Sequence, residues 1–301
     1  MFRTITVGLD GSPESRAAAE WAAREAKLRG LPLKLLHVWE PVPEPLAQAP
    51  LLGAETHQHW TEKIPRESAK GIRLRHPDVE VTAEHMAGRP RDVLCEVANA
   101  AELLVLGSRG LSGVGGFLVG SVGLAVVAHA ERPVVLVRAG EQAADEHEKD
   151  PAGIPSAATR YRPVVLGLDT DSLDASVIEF AFDAAERRDT GLRVVHGWNL
   201  PAYYGYAATV DLERYDEVAR QHASALAEAL SLWRQKHPAV DVVEESRSGS
   251  AAGHLIDASH EASLVVVGRR IRRHPFGAHI GSVTHAVLHH ATAPVAVVPH
   301  D

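Results

Sequence analysis

The sequence predicts an α/β chain built as two tandem open parallel-sheet domains, with helices on both faces of each sheet. Three observations predict it. The 301 residues suit two domains at roughly 100–200 residues apiece. Short apolar runs alternate with longer amphipathic stretches, the order that builds a parallel sheet joined by crossover helices. And the chain repeats itself. Val7-Gly8-Leu9-Asp10 returns as Leu166-Gly167-Leu168-Asp169, and Leu36-His37-Val38-Trp39 as Val195-His196-Gly197-Trp198, both 159 residues later. Leu104-Val105-Leu106-Gly107 returns as Val265-Val266-Val267-Gly268, and Gly120-Ser121-Val122 as Gly281-Ser282-Val283, both 161 residues later. Landmarks in one order at a nearly constant offset mean duplication.

Within the first copy the elements follow in turn. Ile5–Leu9 is a short apolar strand. Ser12 can cap a helix that has Pro13 in its first turn and Glu14 at its positive end. That helix turns Ala18, Trp21, Ala22 and Leu28 inward and stops at Gly30-Leu31-Pro32. Leu33–Trp39 is the next strand, followed by a Pro-rich loop from Pro41 to Gly53. A polar helix from about 55 to 75 carries Pro65, which predicts a kink or break. Val79–Glu84 is a strand and Pro90–Ala100 a helix. Leu103–Leu106 is wholly apolar, as a central parallel strand should be. Ser121–Ala130 is a helix and Val134–Val137 a final strand. This places the first domain at 1–138 and the second at 161–301. Between them lies 139–160, acidic and then rich in Gly, Pro, Ser and Ala, which reads as a linker.

Composition narrows the function. The net charge is −8 and Lys and Arg do not cluster over most of the chain, which argues against nucleic acid as the partner, because phosphate backbones need a basic face. The lone cysteine, Cys95, cannot form an intrachain disulfide. It falls on an apolar helix face and reads as a buried, inert thiol. No signal peptide or apolar run of spanning length stands out, so a cytoplasmic protein without membrane attachment is expected.

The segment that carries chemistry runs from Gly107 to Ser121. It leaves a buried strand, passes Ser108, Arg109, Gly110, Leu111, Ser112 and Gly113, and enters a helix at Gly120-Ser121-Val122. Glycines let backbone N–H groups approach phosphate oxygens with no Cβ in the way. The helix N-terminus adds unpaired donors and a positive dipole end. The loop is neither a Walker A loop nor the dinucleotide fingerprint, since the spacing is Gly-x2-Gly-x9-Gly-Ser.

This spacing resembles the ATP-binding motif of the universal stress protein family. The opening Val-Gly-Leu-Asp-Gly-Ser, Gly88-Arg-Pro90 before a helix, and the closing Arg-Pro-Val-Val-Leu-Val strand resemble that family too, over nearly the whole chain. The resemblance implies domains of the adenine-nucleotide α-hydrolase-like, Rossmann-like type, and ATP, with Mg²⁺, as cofactor. It implies that Gly8 permits close approach, that Asp10 holds the ribose or adenine side, and that Val38 lines the adenine pocket. Gly107, Ser108, Arg109, Gly110 and Gly113 would wrap ribose and phosphates, and Gly120 and Ser121 would bind the terminal phosphates. Fused domains of this kind are expected to pair about a pseudo-two-fold axis through their last strands, 134–138 and 295–298, with a homodimer as a further possibility.

The second copy keeps Gly167, Asp169, Gly268, Arg269, Gly281, Ser282 and Val283. It departs at Ile271, which replaces the second motif glycine inside an arginine-rich loop. A β-branched residue resists positive φ, while arginines can hold phosphate through their side chains. Copy two therefore either binds ATP in an altered way or has lost it. His37 and His196 read as core histidines, Asp10 and Asp169 also fit simple turn roles, and neither His57-x-His59 nor His289-His290 has metal-site partners. No nucleophile, base and orienter form a catalytic set, so a nucleotide-dependent regulator, not an enzyme, is expected. An adenylating enzyme fits poorly, because Asp10-Gly11-Ser12-Pro13 stands where its loop would be. The alternatives are a nucleotide-free interaction module and a weak ATP-hydrolysing enzyme, with at most slow hydrolysis or autophosphorylation.

Overall fold

The computed structural model of the chain describes residues 3–40, 54–108, 119–200, 212–271 and 280–301. The chain divides into two compact units, Met1–Gln142 and Ala143–Asp301.

In the first unit, β1 (Ile5–Leu9) leads into α1 (Pro13–Arg29), β2 (Leu33–Trp39), α2 (Ala54–Arg75), β3 (Val81–Ala87), α3 (Pro90–Ala100), β4 (Leu103–Ser108), α4 (Ser121–His129) and β5 (Val134–Arg138). The strands are parallel, in the order β3-β2-β1-β4-β5. The order reverses between β1 and β4, where a doubly wound sheet opens a crevice at its carboxyl edge. β1 and β4 are covered on both faces and are buried almost throughout, which explains their unbroken apolar sequence.

α1 begins as its residues dictate. The Ser12 hydroxyl accepts from the Ser15 amide at 3.1 Å, Pro13 opens the first turn, and Gly30 closes the helix at φ 62°. Ala18, Trp21 and Ala22 are buried against the sheet. Burial of Trp21 alone contributes about 3 kcal/mol. α2 runs unbroken through Pro65, against the expected break. The proline forgoes one amide bond, but Pro65, Ala69 and Ile72 are buried, and that packing holds the helix together. β3 starts two residues later and ends three residues later than its sequence pattern, because it pairs with β2 along all of Leu33–Trp39. Cys95 is half-buried; α3 buries Leu94 and Ala98 instead, one step around the helix.

The second unit repeats the plan: β6 (Val164–Gly167), α5 (Ala175–Arg187), β7 (Leu192–Trp198), α6 (Leu212–Lys236), β8 (Val242–Ser248), α7 (Ala251–Ser259), β9 (Leu264–Arg270), α8 (Ser282–His290) and β10 (Val295–His300). Its strands are parallel in the order β10-β9-β6-β7-β8. The stretch read as a linker is largely part of this unit. Residues 143–146 form a 3₁₀ turn, the Glu148 amide donates to the Arg160 carbonyl at 2.8 Å, and the Arg162 amide to the Glu146 carbonyl at 2.9 Å. His147 packs on Tyr161 with ring centroids 4.0 Å apart. Its polar composition conceals this order, because backbone bonds and one ring pair supply it in place of an apolar period. Among the described residues no helix is long and apolar enough to cross a membrane.

Candidate functional site

At the reversal between β1 and β4 the first unit opens a cavity of about 410 Å³. Gly8, Asp10, Val38, Gly107, Gly120, Ser121 and Val122 all line it. These residues come from four separate segments, and only the fold brings them together. Leu36, Pro90, Leu94 and Leu106 complete an apolar floor that the sequence reading had not assigned to the site. Arg109, Gly110, Leu111, Ser112 and Gly113 lie outside the described residues.

The local geometry shows what each residue does. The Asp10 carboxylate accepts from the Ser12 amide at 3.0 Å and the Ser12 hydroxyl at 2.5 Å. Burial works to raise its pKa, but the hydrogen bonds from Ser12 and Ser15 outweigh burial and hold it below the usual carboxylate value. It therefore stays ionised and suits holding a hydroxyl, not relaying a proton. Gly107 is required by packing as well as by any ligand. A Cβ there would lie 2.6 Å from the Glu14 carbonyl carbon and 2.7 Å from the Ser15 nitrogen, so only glycine lets α1 start against β4. Ser108 is buried, and its hydroxyl donates to the Val137 carbonyl at 3.2 Å. It ties β4 to β5, leaving only its backbone for a ligand. His37 is the core histidine the sequence suggests, with Nδ1 2.7 Å from the Leu9 carbonyl.

α4 enters the cavity uncapped. Gly120 stands at its N-cap, and among the described residues no side chain caps its first amides. The positive end of the helix, equivalent to about half an elementary charge, thus faces the cavity. An apolar slot leading to a bare helix N-terminus is the layout that takes a flat base at one end and an anion at the other.

A second cavity, of about 590 Å³, lies between α1 and α2. Its guanidinium groups are engaged: Arg16 donates to the Gly11 carbonyl at 3.0 Å, and Arg75 pairs with Glu20. It presents no converging donors for a phosphate.

In the second unit Gly167, Asp169, Gly268, Gly281 and Ser282 occupy the matching strand ends and helix start. The Asp169 carboxylate accepts from the Asp171 amide at 3.1 Å, a turn like that of Asp10. Arg269 is buried in β9 and Val283 is exposed on α8. His196 Nδ1 lies 3.0 Å from the Leu168 carbonyl and Nε2 lies 3.0 Å from His222 Nδ1. A carbonyl only accepts, so His196 carries its proton on Nδ1 and takes a bond from His222. The His222 ring stacks on Trp198 at 4.9 Å and 7°.

With this geometry in view, the profile of the universal stress protein family matches residues 1–138 and again 160–299. A universal stress protein of Mycobacterium tuberculosis is 33% identical over 309 residues, covering 97% of this chain and 96% of the relative. One from Mycolicibacterium smegmatis is 31% identical over 307 residues, covering 98% and 96%. The crystal structure of a universal stress protein from Archaeoglobus fulgidus shares the fold with a TM-score of 0.70 at 16% identity, covering 99% of this chain and 98% of that one. The chain belongs to the universal stress protein family, as a member with two tandem domains.

Proposed function

We infer that this protein binds an adenine nucleotide, ATP with Mg²⁺, in its first unit and acts as a nucleotide-dependent regulator of stress response, dormancy or growth in the cytoplasm. The observation that carries the reading is the cavity at the β1/β4 reversal, which gathers Gly8, Asp10, Val38, Gly107, Gly120, Ser121 and Val122. Its residues fit the ligand. Val38, Leu36 and Pro90 offer an apolar slot for the base, Asp10 an ionised acceptor for a ribose hydroxyl, and the bare α4 terminus with the Ser121 hydroxyl a cradle for phosphate. Mg²⁺ would supply charge neutralisation on the phosphates. Binding to the folded state alone stabilises it and shifts its equilibria, which is how a ligand without turnover regulates. The last strands of the two units offer edges for pairing about a pseudo-two-fold axis, and a homodimer would extend it.

The test is to denature freshly purified protein, identify the released nucleotide by mass, and measure turnover of added ATP. ATP is expected, with hydrolysis slower than about one per second, below the usual enzyme range. Faster turnover would make the protein an enzyme. Neither released nucleotide nor binding of added ATP and Mg²⁺ would leave the interaction-module reading, which Ile271 in place of the second motif glycine favours.

A further inference from the structure

The two units are built alike, yet they differ in sequence at three matching positions around the cleft, and two of these differences bring atoms closer in the second. Val38 is matched by Gly197. A Cβ on Gly197 would lie 2.5 Å from the Ala251 Cα and 2.7 Å from its nitrogen, so the first residue of α7 rests directly on the β7 backbone. In the first unit Val38 has that Cβ, the start of α3 must stand back from it, and both Val38 and Pro90 line the open cavity. Gly123, also in the cavity lining, is matched by Thr284. Thr284 is buried and its hydroxyl donates to the Gly268 carbonyl at 2.9 Å, bridging the end of β9 to α8. Gly110 is matched by Ile271. The Ile271 amide donates to the His300 carbonyl at 2.6 Å, which extends the β9–β10 ladder and removes that donor from any phosphate.

We propose that the second unit's cleft is closed by its own residues, and that the chain holds one nucleotide, in the first unit alone. This rests on the nucleotide reading of the first unit. Gly197 and Thr284 are the residues that decide the difference: one lets a helix close onto the strand, and the other ties the helix start to the end of β9, a bond that Gly123 cannot make. The second unit is then a permanently closed partner of a unit that opens to ligand.

The experiment is a count of ATP bound per chain at saturation, with Mg²⁺, by equilibrium dialysis of the full chain and of its Gly120→Asp variant. One per chain is expected, with at least a tenfold loss of affinity in the variant. Two per chain would overturn the closure while leaving the nucleotide reading intact, as would a single site that survives Gly120→Asp. A count of zero would overturn the nucleotide reading itself, and this inference with it. Hydrogen exchange on the unsubstituted chain gives a second readout that needs no variant. ATP with Mg²⁺ is expected to slow exchange in 5–10, 33–40 and 119–129 and to leave 164–170, 192–200 and 280–290 unchanged. Equal slowing in both sets would sink the proposal.

Discussion

At the scale of single residues, the same amino acid serves different ends in the two halves. Asp10 and Asp169 both close short turns with a carboxylate oxygen, and Asp10 lines an open cavity. His37 and His196 both satisfy a strand-end carbonyl, and only His196 takes a second bond, from His222. His222 gives a pH prediction. Burial, then the neighbouring His196, lowers its pKa below 6.5, while Asp171 pulls the other way. A histidine depressed in the folded state binds protons more readily when unfolded. Its contribution is therefore present above about pH 6.5 and is lost as the pH falls through the folded value. Urea unfolding from pH 7.5 to pH 5.5 is expected to show a steeper loss of stability in the unsubstituted chain than in His222→Gln. Parallel losses would mean that the ring pair carries no linkage.

At the scale of elements, helix starts differ in their caps. α1, α5 and α7 are capped by the side chains of Ser12, Asp174 and Ser250, whereas α4 and α8 begin at Gly120 and Gly281 with no side-chain cap. A glycine N-cap costs a helix a few tenths of a kcal/mol relative to Ser or Asp, and a bound anion can offset that cost. Gly120 has φ −61° and ψ 153°, which any L-residue adopts. Gly120→Asp is therefore expected to hold or raise the stability of the nucleotide-free protein by a few tenths of a kcal/mol. It is expected to weaken ATP binding at the same time, because its carboxylate takes the amides and repels phosphate. Thermal melts with and without ATP check both. A variant that loses stability and keeps its ATP response would show that α4 is not the phosphate end.

At the scale of the whole molecule, the chain divides into two compact units, each with its own five strands and buried core, so each is expected to show its own unfolding transition. A ligand at one hundred times its Kd adds about 2.7 kcal/mol to the unit that binds it. Scanning calorimetry with ATP and Mg²⁺ is expected to raise one transition and leave the other in place. Gly120→Asp should abolish the rise. Equal rises in both transitions would mean that both clefts are open.

Most of this architecture was legible in the sequence, because it is written in local patterns. Unbroken apolar runs can only be strands covered on both faces, Ser12-Pro13 and Gly30 mark the ends of α1, and a repeat at constant offset fixes two copies of one plan. Gly8, Gly107, Gly120 and Asp10 were legible as residues that line the cavity for the same reason: residues that must lack a Cβ, or that turn the chain at a strand end, stand out against an apolar background. Pro90, Leu94 and Leu36 were not, since an apolar residue on a pocket floor looks like any core residue. The order within 143–160 was hidden because isolated bonds, not periodic burial, produce it. Pro65 misled because the sequence shows the lost amide bond but not the buried face that outweighs it. What only the tertiary structure decided is the difference between the copies. Gly197 and Thr284 are small changes on paper, and their effect depends on what lies within 3 Å of each, the start of α7 for one and the end of β9 for the other, distances set by packing between separate elements.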